Sequence, residues 1–313
     1  MVKPICVCMS WRGGARFERC LHSIERSKHH FSRIVLSVTS ADDSEDTELA
    51  RAFQRRNPEV EVICTGRELP TMKHQAFWVE YLQRTGATSR DWVFWLAYDD
   101  EVRCRGIDSI VDHDGNWPLT NGDVYFGPWA MRHEQPAHLW NGDPNAPLES
   151  WTSFPTSGPK RLPLMTWIVD QLRQPTYMQM SGSVCPLGNF IEIKDGKPAK
   201  QGPMRIEMAV AAGSTTKYVA EFDEPLSIIY GRSNSDRANY STLTRREDVH
   251  LFAWLLRYVA FHPAAAAEFT RLVGRSAIDQ LKFRTGIQDP PSDQRKMATS
   301  QAMLNSRPEV RVR

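Results

Sequence analysis

The fold of this chain is decided by residues 92–101, which read WVFWLAYDDE. The stretch opens with six apolar residues, a run that favours a strand buried on both faces, as in the centre of a parallel sheet. It ends in three adjacent carboxylates, Asp99, Asp100 and Glu101. Because open α/β sheets bind ligands beyond the carboxyl ends of their strands, the stretch predicts an α/β fold with a ligand site at one edge of the sheet.

The rest of the first half alternates short apolar runs with amphipathic ones, which is the pattern of a mainly parallel central sheet flanked by helices. Strands are predicted at 4–9, 33–38, 60–64, 92–97 and 124–126, and helices near 17–24 and 72–84. After a proline-rich segment at 128–163 with no sustained period, a strand is predicted at 177–185 and a short helix at 204–212. Amphipathic periodicity returns within 241–286 and predicts a helical C-terminal extension, whereas the polar residues at 287–313 predict a flexible tail.

Composition and charge exclude several classes of protein. The 313 residues carry 39 Lys and Arg against 37 Asp and Glu, a net charge of +2, so the electrostatic signature of a nucleic-acid-binding protein is missing. No apolar stretch approaches the roughly 20 residues that span a bilayer, and the first residues do not read as a signal peptide, so we expect a cytoplasmic protein. The six cysteines include no C-x-x-C pair, which indicates a reducing compartment and no zinc site.

Two acidic segments follow predicted strands. Adjacent carboxylates repel one another unless a cation is present, and magnesium is usually held by one or two carboxylates together with substrate phosphates. Residues 99–101 are therefore interpreted either as a metal-diphosphate site or as a solvated acidic turn. In the loop after 33–38, Asp42 and Asp43 are interpreted either as contacts to a ribose or base edge, or as part of a turn that caps a helix.

Six segments together resemble the GT-A glycosyltransferases, in particular glycosyltransferase family 2, whose bacterial members use nucleotide sugars. In chain order they are similar to that family's opening strand, turn and helix, its D-D-G-S-x-D-T loop, its metal motif, the strand that follows, its G-G-F-x-E-D segment, and a strand ending in a tyrosine and a basic residue. The matching residues here are 9–24, 42–47, 94–101, 123–127, 202–208 and 224–232. The resemblance implies a GT-A fold over most of the chain.

The resemblance also implies a role for individual residues. Asp100 and Glu101 would bind Mn2+ or Mg2+, a loop histidine (His133 or His138) would complete the metal site, and Glu207 would be the catalytic base. Contacts to the nucleotide-sugar donor would come from Ser10, Arg12, Asp42, Asp43, Asp99 and Arg232.

Two of these assignments have structural alternatives. Glu207 could also be an ordinary glutamate at the start of a helix, where the helix macrodipole favours a negative charge. It is the single candidate base because Met208 replaces the second acid of the family's E-D pair. Arg232 has a guanidinium that suits phosphate oxygens, although a surface ion pair explains it equally well.

The resemblance implies one GT-A catalytic domain at 1–240, with a nucleotide-sugar-binding half at 1–127 and an acceptor-binding half at 128–240, followed by the helices at 241–286 and the tail. The implied reaction is transfer of a sugar, with inversion, from a nucleotide-diphosphate-sugar donor to a saccharide or lipid-linked acceptor in bacterial glycan biosynthesis. A UDP-sugar is the foremost donor, and peripheral association with the inner face of a membrane is compatible with this role.

Three alternatives stay open. A GT-A-like nucleotidyltransferase or a metal-dependent phosphohydrolase would also place a metal on Asp99 and Asp100. A catalytically degenerate protein would bind a glycan or a nucleotide sugar without turnover, which the replacement of the second acid by Met208 allows.

Overall fold

The architecture is given by a computed structural model that describes residues 2–133, 149–151, 160–173, 180–194, 210–211, 213–231, 267 and 270. The strands are β1 (Ile5–Ser10), β2 (Arg33–Val38), β3 (Val60–Cys64), β4 (Trp92–Ala97), β5 (Glu101–Val102), β6 (Asp123–Tyr125), β7 (Trp129–His133), β8 (Glu149–Trp151), β9 (Arg161–Pro163), β10 (Ser183–Pro186), β11 (Tyr218–Ala220) and β12 (Ser227–Gly231). The helices are α1 (Ala15–Ser27), α2 (Glu45–Arg56), α3 (Thr71–Arg84), α4 (Cys104–Ile110), α5 (Leu164–Arg173) and α6 (Leu187–Lys194), and a 3-10 turn covers Lys28–His30.

A large central sheet has the strand order β3-β2-β1-β4-β10-β6-β11-β9. The first four of these strands run parallel, and β6 is parallel to β11. Strand β10 is antiparallel to both of its neighbours, β4 and β6, and β9 is antiparallel to β11. The prediction of an α/β fold with a mainly parallel central sheet flanked by helices is confirmed.

Both faces of this sheet are covered, which explains the uninterrupted apolar runs of its central strands. In β1, Ile5 and Val7 belong to one hydrophobic core, whereas Cys6 and Cys8 belong to the other. Helices α3, α5 and α6 pack into the first core, and α1 and α2 pack into the second. The buried thiols of β1 therefore serve as small apolar groups.

A second sheet, with the order β5-β12-β7-β8, begins at the last residue of the acidic stretch, Glu101. Strand β12 is antiparallel to β5, with Ile228 opposite Glu101, and it is parallel to β7, with Gly231 opposite His133. This sheet brings residues that are more than 100 positions later in the chain next to the end of β4. The sequence analysis did not predict it, because β5 has only two residues and no readable period.

The predicted elements of the first half agree closely with the structure. Three predicted strands coincide with β2, β3 and β4, and those at 4–9 and 124–126 are shifted by one residue. Helix α5 was not predicted, since it follows directly on the proline-rich segment. Of the predicted strand at 177–185, the structure describes the residues from 180 onward, where β10 begins at Ser183.

Several predictions fall outside the described residues. They are the helical C-terminal extension, the tail, and most of the predicted helix at 204–212, of which residues 210 and 211 are helical. In the part of the chain that the structure describes, no helix combines the length and the apolar character needed to cross a membrane.

Candidate functional site

The loops after β1, β2, β3 and β4 leave the large sheet at a common edge. Residue pairing places Ser10 opposite Val38, and Met9 opposite Ala97, so the three strands β1, β2 and β4 end level with one another. The carboxyl ends of parallel strands are the usual place for a ligand in an open α/β sheet. All predicted site residues up to Glu101 lie in these loops or at the ends of these strands.

The loop after β1 is fixed by a carboxylate from helix α2. Asp46 is 3% exposed, and its two oxygens accept hydrogen bonds from the backbone N–H of Gly13 at 3.0 and 2.9 Å. It also accepts from the N–H of Gly14 at 2.9 Å and from the hydroxyl of Ser10. The Ser10 side chain, predicted to contact the donor, is thus buried and engaged inside the protein, where it shapes the loop.

We expect the substitution Asp46→Ala to lower the free energy of unfolding by about 2–4 kcal/mol, because the N–H groups of buried Gly13 and half-buried Gly14 lose their acceptor. Urea denaturation measures this loss. Glu48→Ala is the matched control, since Glu48 is an exposed acid in the same first turn of α2. Equal losses in both variants would mean that the helix dipole, and not the loop, accounts for the effect.

The tip of the same loop is exposed and contains a guanidinium. Arg12 has a φ of 51°, in the left-handed region, and its Nε lies 2.7 Å from Oε1 of Glu68 in the loop after β3. This hydrogen bond holds the pKa of Glu68 below its ordinary value. The Arg12 guanidinium also lies 5.4 Å from the ring centre of Trp11, which is 48% exposed. The contacts join the loops after β1 and β3 across the edge of the sheet.

The acidic loop after β2 does not cap helix α2 with its aspartates. The cap is Ser44, whose hydroxyl oxygen accepts from the N–H of Thr47 at 3.2 Å. Asp42 and Asp43 precede the cap, and both side chains are exposed. The Asp42 carboxylate lies near Gly66 of the loop after β3, 3.8 Å from the place of a Cβ at that glycine. The two aspartates thus lie in the turn that leads into the Ser44 cap, and their contact with a donor stays a prediction.

Asp100 is a buried carboxylate at the end of β4. It is 3% exposed, and its Oδ1 accepts a hydrogen bond from the backbone N–H of Tyr230 at 3.4 Å. Its Oδ2 is buried and has no hydrogen-bond partner among the residues that the structure describes. Burial, and after it the charge of Asp99, raise the pKa of Asp100 well above its ordinary value. The hydrogen bonds of Ser181 and Tyr230 and the charge of Arg19 act in the opposite direction, but a buried carboxylate remains costly unless a proton or a cation neutralises it.

Glu101, in contrast, is already paired with cations of helix α1. Its Oε1 lies 3.1 Å from Nε of Arg19 and accepts from the hydroxyl of Tyr230, and its Oε2 lies 3.8 Å from Arg26. The Arg19 guanidinium also lies over the Tyr230 ring, 3.5 Å from its centre, and donates to the backbone carbonyl of Asp99 at 2.8 Å. Arg19 is therefore the cation that binds the acidic stretch within the protein, and 19% of its side chain is exposed.

The charges of this site fit a divalent cation. Asp99, Asp100 and Glu101 carry three negative charges when ionised, and Arg19 compensates the one on Glu101. Oδ2 of Asp100 offers a buried oxygen that has no hydrogen-bond partner among the described residues. Mg2+ and Mn2+ prefer carboxylate oxygens of this kind. The metal-ligand role of Glu101 stays a prediction, and its present contacts are with Arg19 and Tyr230.

The remaining predicted residues fall at or beyond the limits of the described chain. Glu207, Arg232 and His138 lie outside the described residues. His133 is the last residue of β7, and its backbone is paired with Gly231, the residue after Tyr230. The register of the second sheet thus places position 133 opposite the residue that follows Tyr230, whose backbone N–H contacts Asp100.

Sequence reasoning missed Arg19, Asp46 and Tyr230. Arg19 is one of several basic residues in α1, and no local pattern distinguishes it from Arg16. Asp46 occurs in the segment that matches the family loop, yet its bonds to a loop more than 30 residues earlier leave no trace in the sequence.

Comparison with known proteins gives distant similarities. No protein-family model matches the sequence, and no curated protein matches it. Among solved structures, the mannosyltransferase PcManGT from Pyrobaculum calidifontis, in complex with GDP-Man and Mn2+, is 12% identical and has a TM-score of 0.45, over 98% of this chain and 81% of its own. A fragment of S. aureus TarS in complex with UDP is 12% identical with a TM-score of 0.45, over 90% of this chain and 85% of its own. A 4-diphosphocytidyl-2C-methyl-D-erythritol synthase is 15% identical with a TM-score of 0.39, over 82% of this chain and 99% of its own. Similarities at this level do not assign the chain to a family.

Proposed function

We propose that this chain is a metal-dependent GT-A glycosyltransferase that takes a nucleotide-diphosphate-sugar donor. The observation that carries the proposal is the carboxylate of Asp100, which is buried at the end of β4 beside Asp99 and has an oxygen without a partner among the described residues. The resemblance of residues 94–101 to the family's metal motif points to the same group. Buried carboxylates whose pKa is strongly raised occur preferentially at ligand-binding and catalytic sites.

The metal is Mn2+ or Mg2+, held by Asp100 together with Asp99, and by Glu101 if its contact with Arg19 opens. Such an ion, when bound, supplies positive charge to the departing diphosphate. The chain's own contribution is to keep Asp100 out of bulk water and to hold Asp99 beside it. Arg19 keeps the acidic stretch in place by bonding both the Asp99 carbonyl and the Glu101 carboxylate.

The donor nucleotide is assigned to the loops after β1 and β2. Asp42 and Asp43 are exposed acceptors suited to ribose hydroxyls or a base edge, and Trp11 offers an exposed aromatic face beside Arg12. Ser10 contributes through the shape of its loop, since Asp46 holds its hydroxyl. Arg232, which follows β12, is proposed to bind the diphosphate of the donor through its guanidinium.

The acceptor hydroxyl is proposed to lose its proton to Glu207 as the new bond to the sugar forms, with inversion at the sugar carbon. Val210 and Ala211, three and four residues further on, are fully buried, and the Val210 carbonyl accepts from Nδ2 of Asn189 at 2.7 Å. The chain just after Glu207 is thus anchored to helix α6.

The acceptor-binding half is proposed to comprise residues 128–240. Helices at 241–286 are proposed to follow it, and a tail at 287–313 to follow the helices. A saccharide or lipid-linked acceptor of bacterial glycan synthesis is proposed, with a UDP-sugar as the donor. Location in the cytoplasm, with peripheral contact to the inner face of the membrane, would bring the enzyme to a lipid-linked acceptor.

A panel of nucleotide sugars tests the proposal. The full chain is incubated with each donor and Mn2+, and with EDTA as the matched blank, and released nucleoside diphosphate is measured. We expect slow, metal-dependent hydrolysis of at least one donor. In a parallel incubation with a nucleoside triphosphate and a sugar phosphate, release of pyrophosphate would instead identify a nucleotidyltransferase. Tight donor binding without any turnover would identify a degenerate binding protein.

A further inference from the structure

Four potential metal ligands meet on the second-core side of the protein, in residues that the acidic site does not use. They are His29 and His30 of the 3-10 turn, and Cys104 and Asp108 of helix α4, and one donor atom from each lies within 4.8 Å of the others. Nε2 of His30 lies 2.9 Å from Oδ1 of Asp108 and 3.8 Å from Sγ of Cys104. Sγ of Cys104 is 3.7 Å from Oδ2 of Asp108.

Local structure explains why these side chains converge. Cys104 and Asp108 are four residues apart in α4, so both side chains lie on one face of the helix. The turn that carries the histidines is fixed by its backbone carbonyls. The His29 carbonyl accepts from Nζ of Lys3 at 2.8 Å, and the His30 carbonyl accepts from the indole N–H of Trp117 at 3.0 Å. The donor atoms are therefore held together by packing before any ion arrives.

We propose that His29, His30, Cys104 and Asp108 form a binding site for a divalent transition metal, Zn2+ foremost. Two imidazole nitrogens, a thiolate and a carboxylate are a donor set that zinc accepts, and Mg2+ or Ca2+ would not select a set containing sulfur. Ligand atoms around a tetrahedral zinc lie about 3.3–3.7 Å apart, given zinc-ligand distances of about 2.0–2.3 Å. The spacings from Cys104 to His30 and to Asp108 already match that geometry within a few tenths of an ångström.

Charge and access agree with this assignment. The thiolate and the carboxylate together carry two negative charges, which a divalent ion neutralises. Binding releases the thiol proton of Cys104 to solvent and requires that the proton of the His30 ring be on Nδ1, so that Nε2 turns from Asp108 to the metal. His30 is buried, Cys104 is half-buried, and His29 and Asp108 are exposed, so an ion from solution can reach the site. The charge of Lys3 acts on His30, and the charge of Arg26 acts on Cys104.

The site would join two elements that flank the acidic stretch. The histidines follow helix α1, which carries Arg19, and Cys104 begins α4 three residues after Glu101. A metal at this position would fix α4 to the end of α1 and would stabilise the contact between Arg19 and Glu101. It is a structural site, separate from the oxygen ligands Asp99 and Asp100.

Cobalt substitution tests the proposal on the full-length, chelator-treated protein. Co2+ bound to a thiolate gives a sulfur-to-cobalt absorption band in the near ultraviolet, which the oxygen site cannot produce. We expect this band in the wild type, and one equivalent of Zn2+ should remove it. Cys104→Ser should abolish the band and weaken zinc binding by about 100-fold or more, since even the loss of a group behind a ligand costs about 10- to 100-fold.

Two further variants make the test independent of folding defects. Cys64→Ser removes the other half-buried thiol and should leave the band and the zinc affinity unchanged. His29→Gln alters an exposed side chain and should weaken zinc binding while the metal-free melting temperature stays the same. Absence of the band in the wild type at saturating Co2+, or a band of wild-type intensity in Cys104→Ser, would overturn the proposal. Persistence of the band in Asp100→Asn would separate this site from the proposed catalytic metal.

Discussion

Replacing Asp100 by Asn should abolish metal-dependent turnover and, at the same time, raise the melting temperature of the metal-free protein. The first effect follows because the amide no longer offers a charged oxygen to Mn2+ or Mg2+, and we expect a loss of at least about 100-fold. The second follows because the wild-type carboxyl is buried, and one of its oxygens has no partner among the described residues. Removal of that charge should add about 2–4 °C for each kcal/mol regained.

The stabilising effect of Asp100→Asn has a defined pH dependence. The pKa of Asp100 in the folded protein is raised above the ordinary value of 3.8, chiefly by burial and then by Asp99. The folded state therefore retains the proton over a pH range in which the unfolded state has lost it, and stability falls as pH rises through that range. The melting temperatures of wild type and variant should be similar at pH 3–4 and should diverge as pH rises. Saturating Mn2+ should close the gap by stabilising only the wild type.

Calorimetry of Mn2+ binding and thermal scans against pH measure both effects. Glu59→Gln is the control, since Glu59 is an exposed acid paired with Lys28 at 2.7 Å on the protein surface, and it should change neither turnover nor metal binding. Unchanged metal affinity in Asp100→Asn would remove this residue from the metal site. A lower melting temperature of the variant at pH 7 would show that the interactions of the Asp100 carboxylate, including that with Arg19, outweigh the cost of its burial.

Glu207→Gln should leave donor affinity nearly intact and lower turnover by about 10²- to 10⁴-fold, the range usual for the loss of a general base. The reason is that a base takes the acceptor proton only as the bond forms, so its removal affects the transition state and not the bound donor. Steady-state transfer rates, together with calorimetry of the donor, separate the two quantities.

A folding defect would mimic this loss, so the variant must keep the wild-type melting temperature. The residues after Glu207 make such a check sensitive, because Val210 is fully buried and its carbonyl is bonded to Asn189. If a well-folded Glu207→Gln protein kept the wild-type turnover, Glu207 would not be the catalytic base, and another acid would have that role. The candidates would then be Asp100, Glu101, Glu134 or Asp143.

The sequence predicts the sheet well because its signal is local. Strands β2, β3 and β4 are covered on both faces, so their apolar runs begin and end where the chain enters and leaves the core. The ends of these strands therefore also locate the loops that contain Asp42 and Asp100. Short strands such as β5 form because a distant strand pairs with them. Two residues are too few to show an apolar run or an alternating pattern.

The details of the site depend on contacts between distant parts of the chain, which a single sequence does not encode in a readable pattern. Tyr230 contacts Asp100 across 130 positions, and Arg19 bonds the carbonyl of Asp99 across 80. The cluster of His29, His30 and Cys104 was missed for the same reason, and the absence of a C-x-x-C pair led to the expectation of no zinc site. The sequence does contain the parts of this cluster, namely two adjacent histidines and a C-x-x-x-D pair. They lie on two different elements, so nothing in the sequence shows that they meet.

Strand β10 has a consequence for how the protein is made in the cell. It is inserted between β4 and β6, although it comes about 90 residues after β4 in the chain. At a synthesis rate of about 5–20 residues per second, the apolar edge of β4 stays unpaired on the ribosome for roughly 5–20 seconds. An open edge of this kind is a template for association with other nascent chains. Any factor that covers residues 92–97 until β10 emerges should therefore raise the yield of folded protein.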